Sequence, residues 1–295
     1  MLTALRGRVR RIPEIIGVGP GVWLQGFIEG ATLGSDAAPR APLSALHSEQ
    51  LGRLFSEMAV IETDELDVDR ICLPEDRPEE GDSGGFLAGL VRFTHERVYA
   101  EHGAPYHALF ERLGVDTAPL EKLALSAERL EPRPFSLLHG DLHRENFIVD
   151  PHGDLWTIDW ELALFGDPLY DLATHLHLMR YQADEEVRIC RIWQSAVEAA
   201  RPGATEGWRQ DLPVLLEYKR VQSVYTDVIR GALALEQPED ALDRRTLPEV
   251  ARQVQLALAA AQEVPGMPTA PALHEVARAY RWWVTSRPSF TASAS

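Results

Sequence analysis

A carboxylate, a carboxamide and a second carboxylate, Asp141, Asn146 and Asp159, fall within one run, SLLHGDLHRENFIVDPHGDLWTIDWE, from Ser136 to Glu161. These residue types handle magnesium and phosphate. Mg²⁺ is a hard ion that keeps several waters and takes one or two protein oxygens alongside phosphate oxygens. Asn146 opens an apolar run, Phe147-Ile148-Val149, and Asp150-Pro151-His152-Gly153-Asp154 carries turn chemistry. Leu155-Trp156-Thr157-Ile158 then returns as a second apolar run. An antiparallel hairpin over this stretch brings its outer ends together, and those ends are Asn146 and Asp159. Their oxygens can converge on one cation. Asp141 lies on the loop entering the hairpin, where it can accept the proton of a hydroxyl attacking a metal-bound phosphate.

The elements that must position this loop lie on both sides. Upstream, IPEIIGVGPGVWLQGFIEG predicts two short strands around Gly19-Pro20-Gly21. ATLGSDAAPRAP then reads as a connection. Leu43, Leu46, Leu51, Leu54, Phe55 and Met58 recur at helical spacing. The acidic, Pro/Gly-laden stretch 62–85 reads as an exposed, mobile loop, and helical segments are expected at 86–101 and 105–113. Downstream, Val187, Cys190, Trp193, Val197 and Ala200 share one helical face. Val214, Tyr218, Val221, Tyr225, Val228 and Ala232 share another. Both stripes read as core. Further helices are expected at 248–263 and 272–285, ahead of the polar tail SFTASAS. There is no internal repeat.

Composition narrows the class. The formal net charge of -16 opposes a nucleic-acid partner and favours a cationic small molecule. Acidity also simply keeps proteins in solution, and that reading weighs more. No apolar run approaches a membrane span, so no membrane partner is expected. The basic start, MLTALRGRVRR, is followed by a segment broken by Pro, Glu and Gly, a poor signal-peptide core. Cys72 and Cys190 give no disulfide framework and no metal spacing, so a cytoplasmic setting is expected.

The spacing His-x-Asp-Leu-x-x-x-Asn, here His139, Asp141, Leu142 and Asn146, reproduces a kinase catalytic loop. Asp159 stands in the place of the metal-binding Asp of the DFG element. With TIDWELALFGDPLYDLA and the N-terminal hairpin, this run resembles the aminoglycoside phosphotransferase family, a small-molecule branch of the kinase-like fold. HGDLHxxN, IDWE and GDPxxDLA, in that order, are a specific combination spanning the middle of the chain. The resemblance implies an α+β, protein-kinase-like fold. Residues 1–30 would be a remnant of the N-terminal lobe with its hinge, 31–288 a mostly helical C-terminal lobe, and 289–295 a flexible tail.

The resemblance also implies roles. Asp141 would be the catalytic base, Asn146 and Asp159 the Mg²⁺ ligands, and ATP the phosphate donor, with GTP as the alternative. Ile148 and Ile158 would floor the nucleotide base, and the strand end Gln25-Gly26-Phe27 would be the hinge whose backbone reads the base edge. His139 would brace the loop and Asp171 would hydrogen-bond its backbone. Glu161 is a candidate contact for a cationic substrate, or equally an exposed strand-end carboxylate; Asp227, on an amphipathic helix, is a second candidate. The expected activity is O-phosphotransfer to a small polyhydroxylated or amino-bearing molecule. An aminoglycoside or another antibiotic is one such acceptor, with choline-like, amino-acid and sugar acceptors left open.

The chain departs from the family in two ways. Arg144-Glu145 stand where the family has Pro-Gly. The family's first strands, phosphate-covering loop, lysine and helix-borne Glu have no counterpart, since the only lysines are Lys122 and Lys219. Residues 1–10 correspond at most to the tail of that helix. An internal start, a naturally short and inactive chain, or an arginine (Arg6, Arg8 or Arg10) in place of the lysine would each account for this. The first is favoured because the catalytic-loop and metal residues are intact; the last is opposed by the planar fork of Arg. The alternative class is a non-catalytic, degenerate kinase-like module that binds a small molecule or a protein. GDSGGF, Gly81 to Phe86, matches the nucleophile motif of trypsin-like proteases, but only His47 precedes Ser83 and no β-rich sequence surrounds it. His95, His102 and His107 lack metal-ligand spacing and read as surface histidines.

Overall fold

Strands of two to five residues and a larger share of helix make up most of the described chain. A computed structural model describes residues 1–19, 22–35, 41–63, 65–66, 77–235 and 246–286. In chain order the elements are α1 Leu2–Leu5, β1 Ile15–Gly19, β2 Val22–Gln25, β3 Ala31–Thr32, α2 Ala45–Ala59 and α3 Ser83–Phe93. A π-helix Thr94–His102 and a 3₁₀ turn Ala104–Tyr106 lead to α4 His107–Leu113, then α5 Ala118–Ala127. Next come β4 Ser136–Leu138, a 3₁₀ turn Arg144–Asn146, β5 Phe147–Val149 and β6 Leu155–Thr157. A 3₁₀ turn Trp160–Leu162 precedes β7 Leu164–Gly166, α6 Pro168–Met179, α7 Ala183–Ala200, α8 Trp208–Ala234, α9 Thr246–Ala261 and α10 Leu273–Ser286. No helix among the described residues is long and apolar enough to cross a membrane.

The chain forms two compact units, Met1–Leu87 with Arg129–Leu216, and Ala88–Glu128 with the chain from Glu217 on. The first unit carries every strand among the described residues. β1 and β2 pair antiparallel, Ile15 opposite Gln25 and Gly17 opposite Trp23. β5 and β6 form the expected hairpin, Phe147 opposite Thr157 and Val149 opposite Leu155. The connection after Gly30 is not wholly irregular: Ala31 and Thr32 add to β5 as a third strand. β4 and β7 form another antiparallel pair, Ser136 opposite Gly166, which no alternation in the sequence announced.

α2 begins where Ser44 accepts a hydrogen bond from His47 N at 3.0 Å. Its apolar stripe, with Leu51, Phe55 and Met58 buried, packs against α7. On α7 the buried face is Ile189, Cys190, Trp193 and Val197, while Val187 is 49% exposed. Val187 sits about 120° round the helix from Trp193, outside the stripe.

The second unit packs α10 against α9 and α4. Tyr218, Val221, Tyr225, Val228 and Ala232 of α8 are fully buried there. Tyr225 donates to Asp116 O at 2.5 Å, and its ring meets those of Tyr99 and Phe110. The helix expected to run to 101 widens into the π-helix at Thr94, whose hydroxyl bonds Leu90 O and Tyr218. His95, His102 and His107 are exposed. GDSGGF is a helix start: Asp82 accepts from Gly85 N at 2.8 Å, and Ser83 is buried at the first position of α3. Pro20, Gly21, Cys72, the middle of the acidic stretch and the tail 289–295 lie outside the described residues.

Candidate active site

The GDP run is an anchor in which each residue has a separate task. A Cβ at Gly166 would lie 2.2 Å from the Phe86 ring, so only glycine fits where β7 ends. Asp167 caps α6, accepting from Leu169 N at 2.9 Å, and Pro168 fills the first turn, which needs no N–H. Arg133, fully buried, grips the Asp167 carboxylate with Nε at 2.9 Å and Nη2 at 2.7 Å. Its other arm reaches Asp211 at 2.6 Å and Glu206 O at 2.7 Å. Bidentate, charge-assisted bonds offset the cost of burying these charges. The start of α6 is thereby fixed.

Asp171 lies one turn into α6. Its carboxylate, 1% exposed, accepts from His139 N at 2.7 Å and from Gly140 N at 2.8 Å. Gly140 has φ +81, and a Cβ there would lie 2.8 Å from Leu162 O. His139 is fully buried; its Nε2–H donates to Ile158 O at 2.9 Å, and its Nδ1 accepts from Asp141 N at 3.3 Å. Burial pushes its pKa down to about 4. Neutral His139 thus ties the loop residue Asp141 to the peptide just before Asp159. His175 of α6, which sequence reasoning missed, does the same from below. Its Nδ1–H donates to Leu142 O and its Nε2 accepts from Tyr181 OH, each at 3.0 Å, and burial again lowers its pKa to about 4.

From the far side, Gln50 of α2 holds the hairpin, accepting from Leu155 N at 2.8 Å and donating to Asp154 at 3.1 Å. Asp150 accepts from His152 N, Asp154 N and Trp156 Nε1, closing the turn. The hairpin's open end is then defined by Ile158 N donating to Asn146 O at 3.0 Å, so that Asp159 is the next residue out.

Asn146, buried, donates from Nδ2 to Asp141 O at 2.9 Å and to Asp141 Oδ2 at 3.2 Å. With the amide nitrogen committed to Asp141, the amide oxygen is the end that can ligate a cation. Asp159 is exposed and adopts φ +63, ψ +62, a left-handed conformation that is uncommon outside glycine. Its side chain caps no turn. One carboxylate and one amide oxygen are a hard-oxygen pair suited to Mg²⁺ with phosphate and water completing the shell. Beside them, Asp141 Oδ2 also meets His143 Nε2 at 3.2 Å, and both side chains are half-buried. Hydrogen bonding to Asp141 draws the His143 pKa above its ordinary value. An oriented carboxylate near oxygens able to ligate a hard cation can hold a hydroxyl for attack on phosphate.

The two departures in the loop are hydrogen-bonding residues. Arg144 donates to Ala41 O, and Glu145 accepts from Thr32 Oγ1 at 2.8 Å. Together they fasten the chain that follows the N-terminal hairpin onto the loop. Gln25 pairs with Ile15, Gly26 N is taken by Glu14 O at 2.7 Å, and Phe27 is 92% exposed. Ile148 and Ile158 are half-buried, Ile148 between Thr32 and Trp156 in register. Glu161 is exposed in the turn after Asp159. Asp227 belongs to the second unit, where it accepts from Gln253 at 3.3 Å. Arg8 pairs with Glu65 at 2.8 Å and Arg10 with Glu57 at 2.6 Å, so both cations are matched by carboxylates of their own unit.

The chain belongs to the phosphotransferase enzyme family, whose model matches residues 2–218. A choline/ethanolamine kinase family protein from Mesorhizobium loti is 16% identical and superposes with a TM-score of 0.50, over 95% of this chain and 82% of that one. A Plasmodium vivax ethanolamine kinase is 15% identical with a TM-score of 0.50, over 86% of this chain and 69% of that one. These likenesses establish the fold, which is α+β and kinase-like. No curated protein matches the sequence.

Proposed function

We propose that the chain transfers the γ-phosphate of ATP, bound with Mg²⁺, to a hydroxyl of a small, amino-bearing or polyhydroxylated molecule. The observation that carries this reading is Asn146. Its amide nitrogen holds Asp141, which leaves its amide oxygen as the atom able to ligate a cation, and its backbone oxygen accepts from Ile158 N, the residue before Asp159. When bound, Mg²⁺ supplies charge neutralisation at the β- and γ-phosphates, and Asn146 and Asp159 would hold it. Asp141 orients the acceptor hydroxyl and takes its proton. Asp171, His139 and His175 hold the loop that presents Asp141, so the gain in rate comes from positioning and electrostatics. Ile148 and Ile158, with the segment Gln25 to Phe27, receive the nucleotide base, of ATP or of GTP. Glu161 is the carboxylate proposed to meet a cationic acceptor, which the net charge of -16 would attract. Aminoglycosides, choline and ethanolamine belong in the first acceptor panel, and the cytoplasm is the proposed setting.

A second reading is supported by the lysines. The only lysines are Lys122 and Lys219, and none lies among residues 1–121, where the family resemblance would put the phosphate-holding lysine. A non-catalytic, degenerate kinase-like module that binds a small molecule or a protein would need no lysine at the phosphates. Thermal unfolding with and without Mg²⁺ and ATP or GTP tests the transfer reading against it. Nucleotide at one hundred times its dissociation constant adds about 2.7 kcal/mol, and the gain should require Mg²⁺ and vanish in Asp159→Ala. A folded wild-type chain that shows no shift contradicts the transfer reading and favours the non-catalytic module.

A further inference from the structure

We infer that His143 is a positioning residue for the transfer reaction: its Nε2–H, together with Asn146, holds the Asp141 carboxylate in the orientation that receives the acceptor hydroxyl. The inference rests on the phosphotransfer reading above.

The argument starts from a backbone amide. His143 caps the 3₁₀ turn Arg144–Asn146 with an extended backbone, φ -136 and ψ 174, and its Nδ1 lies 3.2 Å from Glu145 N. A backbone N–H can only donate, so Nδ1 must accept and carries no proton. The single proton of neutral imidazole is then on Nε2. Nε2 is the atom 3.2 Å from Asp141 Oδ2. The turn therefore selects the tautomer, and the tautomer aims a proton at the carboxylate.

A second donor meets the same oxygen. Asn146 Nδ2 is also 3.2 Å from Asp141 Oδ2. The terminal torsion of an aspartate is broad and poorly fixed on its own. Two donors on one oxygen, from positions two and five residues further along the same loop, fix the plane of the carboxylate. That matters because a proton acceptor works only when it is aligned with the hydroxyl it serves. In the transfer step the acceptor oxygen forms its bond to phosphorus, the bond from phosphorus to the leaving oxygen of the nucleotide breaks, and the hydroxyl proton ends on Asp141. No proton passes through His143. A second proton on its ring would have to enter at Nδ1 and break the bond from Glu145 N.

Two amide variants separate this role from the capping role. His143→Asn keeps an acceptor near the Nδ1 position, and Asn is a favoured cap, but it has no donor for Asp141. His143→Gln places an amide nitrogen near the Nε2 position and gives up the cap. With Mg²⁺-ATP and the acceptor that wild type turns over best, His143→Asn should lower kcat by about tenfold or more, the scale of one hydrogen bond to a charged group. Its KM for ATP and its Tm should stay at wild-type values. His143→Gln should keep kcat within about threefold of wild type while its Tm falls. Nitrogen-15 NMR of the histidine ring at pH 8 should show Nδ1 bare and Nε2 protonated. An Nδ1–H tautomer, an His143→Asn variant with wild-type kcat, or equal losses in the two variants would overturn the inference while leaving the phosphotransfer reading intact. A wild-type chain that phosphorylates no acceptor in the panel removes that reading, and this role with it.

Discussion

Burial of two histidines beneath the candidate loop makes stability depend on pH in a way that can be calculated. His139 and His175 are fully buried, each bonded to a backbone carbonyl, and both have pKa values pushed down to about 4. In the unfolded chain a histidine titrates near 6.5. Below that pH the unfolded chain takes up protons that the folded chain refuses. The stabilisation is therefore complete above 6.5 and is lost as pH falls towards 4. Between pH 7 and pH 5 each histidine should withdraw about 2 kcal/mol, a large share of the total stability of an ordinary domain. Urea unfolding followed by tryptophan fluorescence at both pH values measures this directly. His175→Gln removes one of the two titrations, so its loss between pH 7 and 5 should be about 2 kcal/mol smaller than that of wild type. His143, whose pKa is raised, contributes with the opposite sign; it is present in both proteins and cancels in the difference. Equal losses in wild type and variant would refute the reasoning.

Two further substitutions probe the supports. Asp171→Ala leaves His139 N and Gly140 N buried without an acceptor; it should cost roughly 3 kcal/mol in urea unfolding, and a loss below about 1 kcal/mol would show that the loop backbone relaxes to other partners. Arg133→Met strands the carboxylates of Asp167 and Asp211. It should cost about 3–5 kcal/mol, and Asp167→Asn in the same chain should recover part of that loss; no recovery would mean the arginine acts through packing alone.

Legibility in the sequence followed the range of the interaction. The hairpin from Phe147 to Thr157 was legible because apolar runs flank a turn whose chemistry is local, Asp150 bonding three groups within six residues. The long helices were legible from their apolar stripes, apart from Leu46 of α2 and Val187 of α7, both 49% exposed. Ala31–Thr32 was not, because a two-residue strand has no period and sits in a Pro/Gly-rich run. The pair β4 and β7 is built from three-residue pieces, again too short to alternate. The site divides in the same way. The spacing of Asp141, Asn146 and Asp159 marks one loop and the hairpin that follows it. The clamp of Arg144 on Ala41 and of Glu145 on Thr32 spans more than a hundred residues of chain, and no local pattern reports it. For His143, the signal was its place between Asp141 and Asn146, but its orientation depends on the backbone amide of Glu145, whose direction no residue spacing encodes.

The measurement that bears most directly on the account is transfer of labelled γ-phosphate from Mg²⁺-ATP to the acceptor panel by wild type and by Asp141→Ala. The account predicts a phosphorylated small molecule with wild type and a rate lower by about a hundredfold or more in the variant, with the Mg²⁺-dependent thermal shift by ATP retained in both. Transfer at an undiminished rate by Asp141→Ala would contradict it.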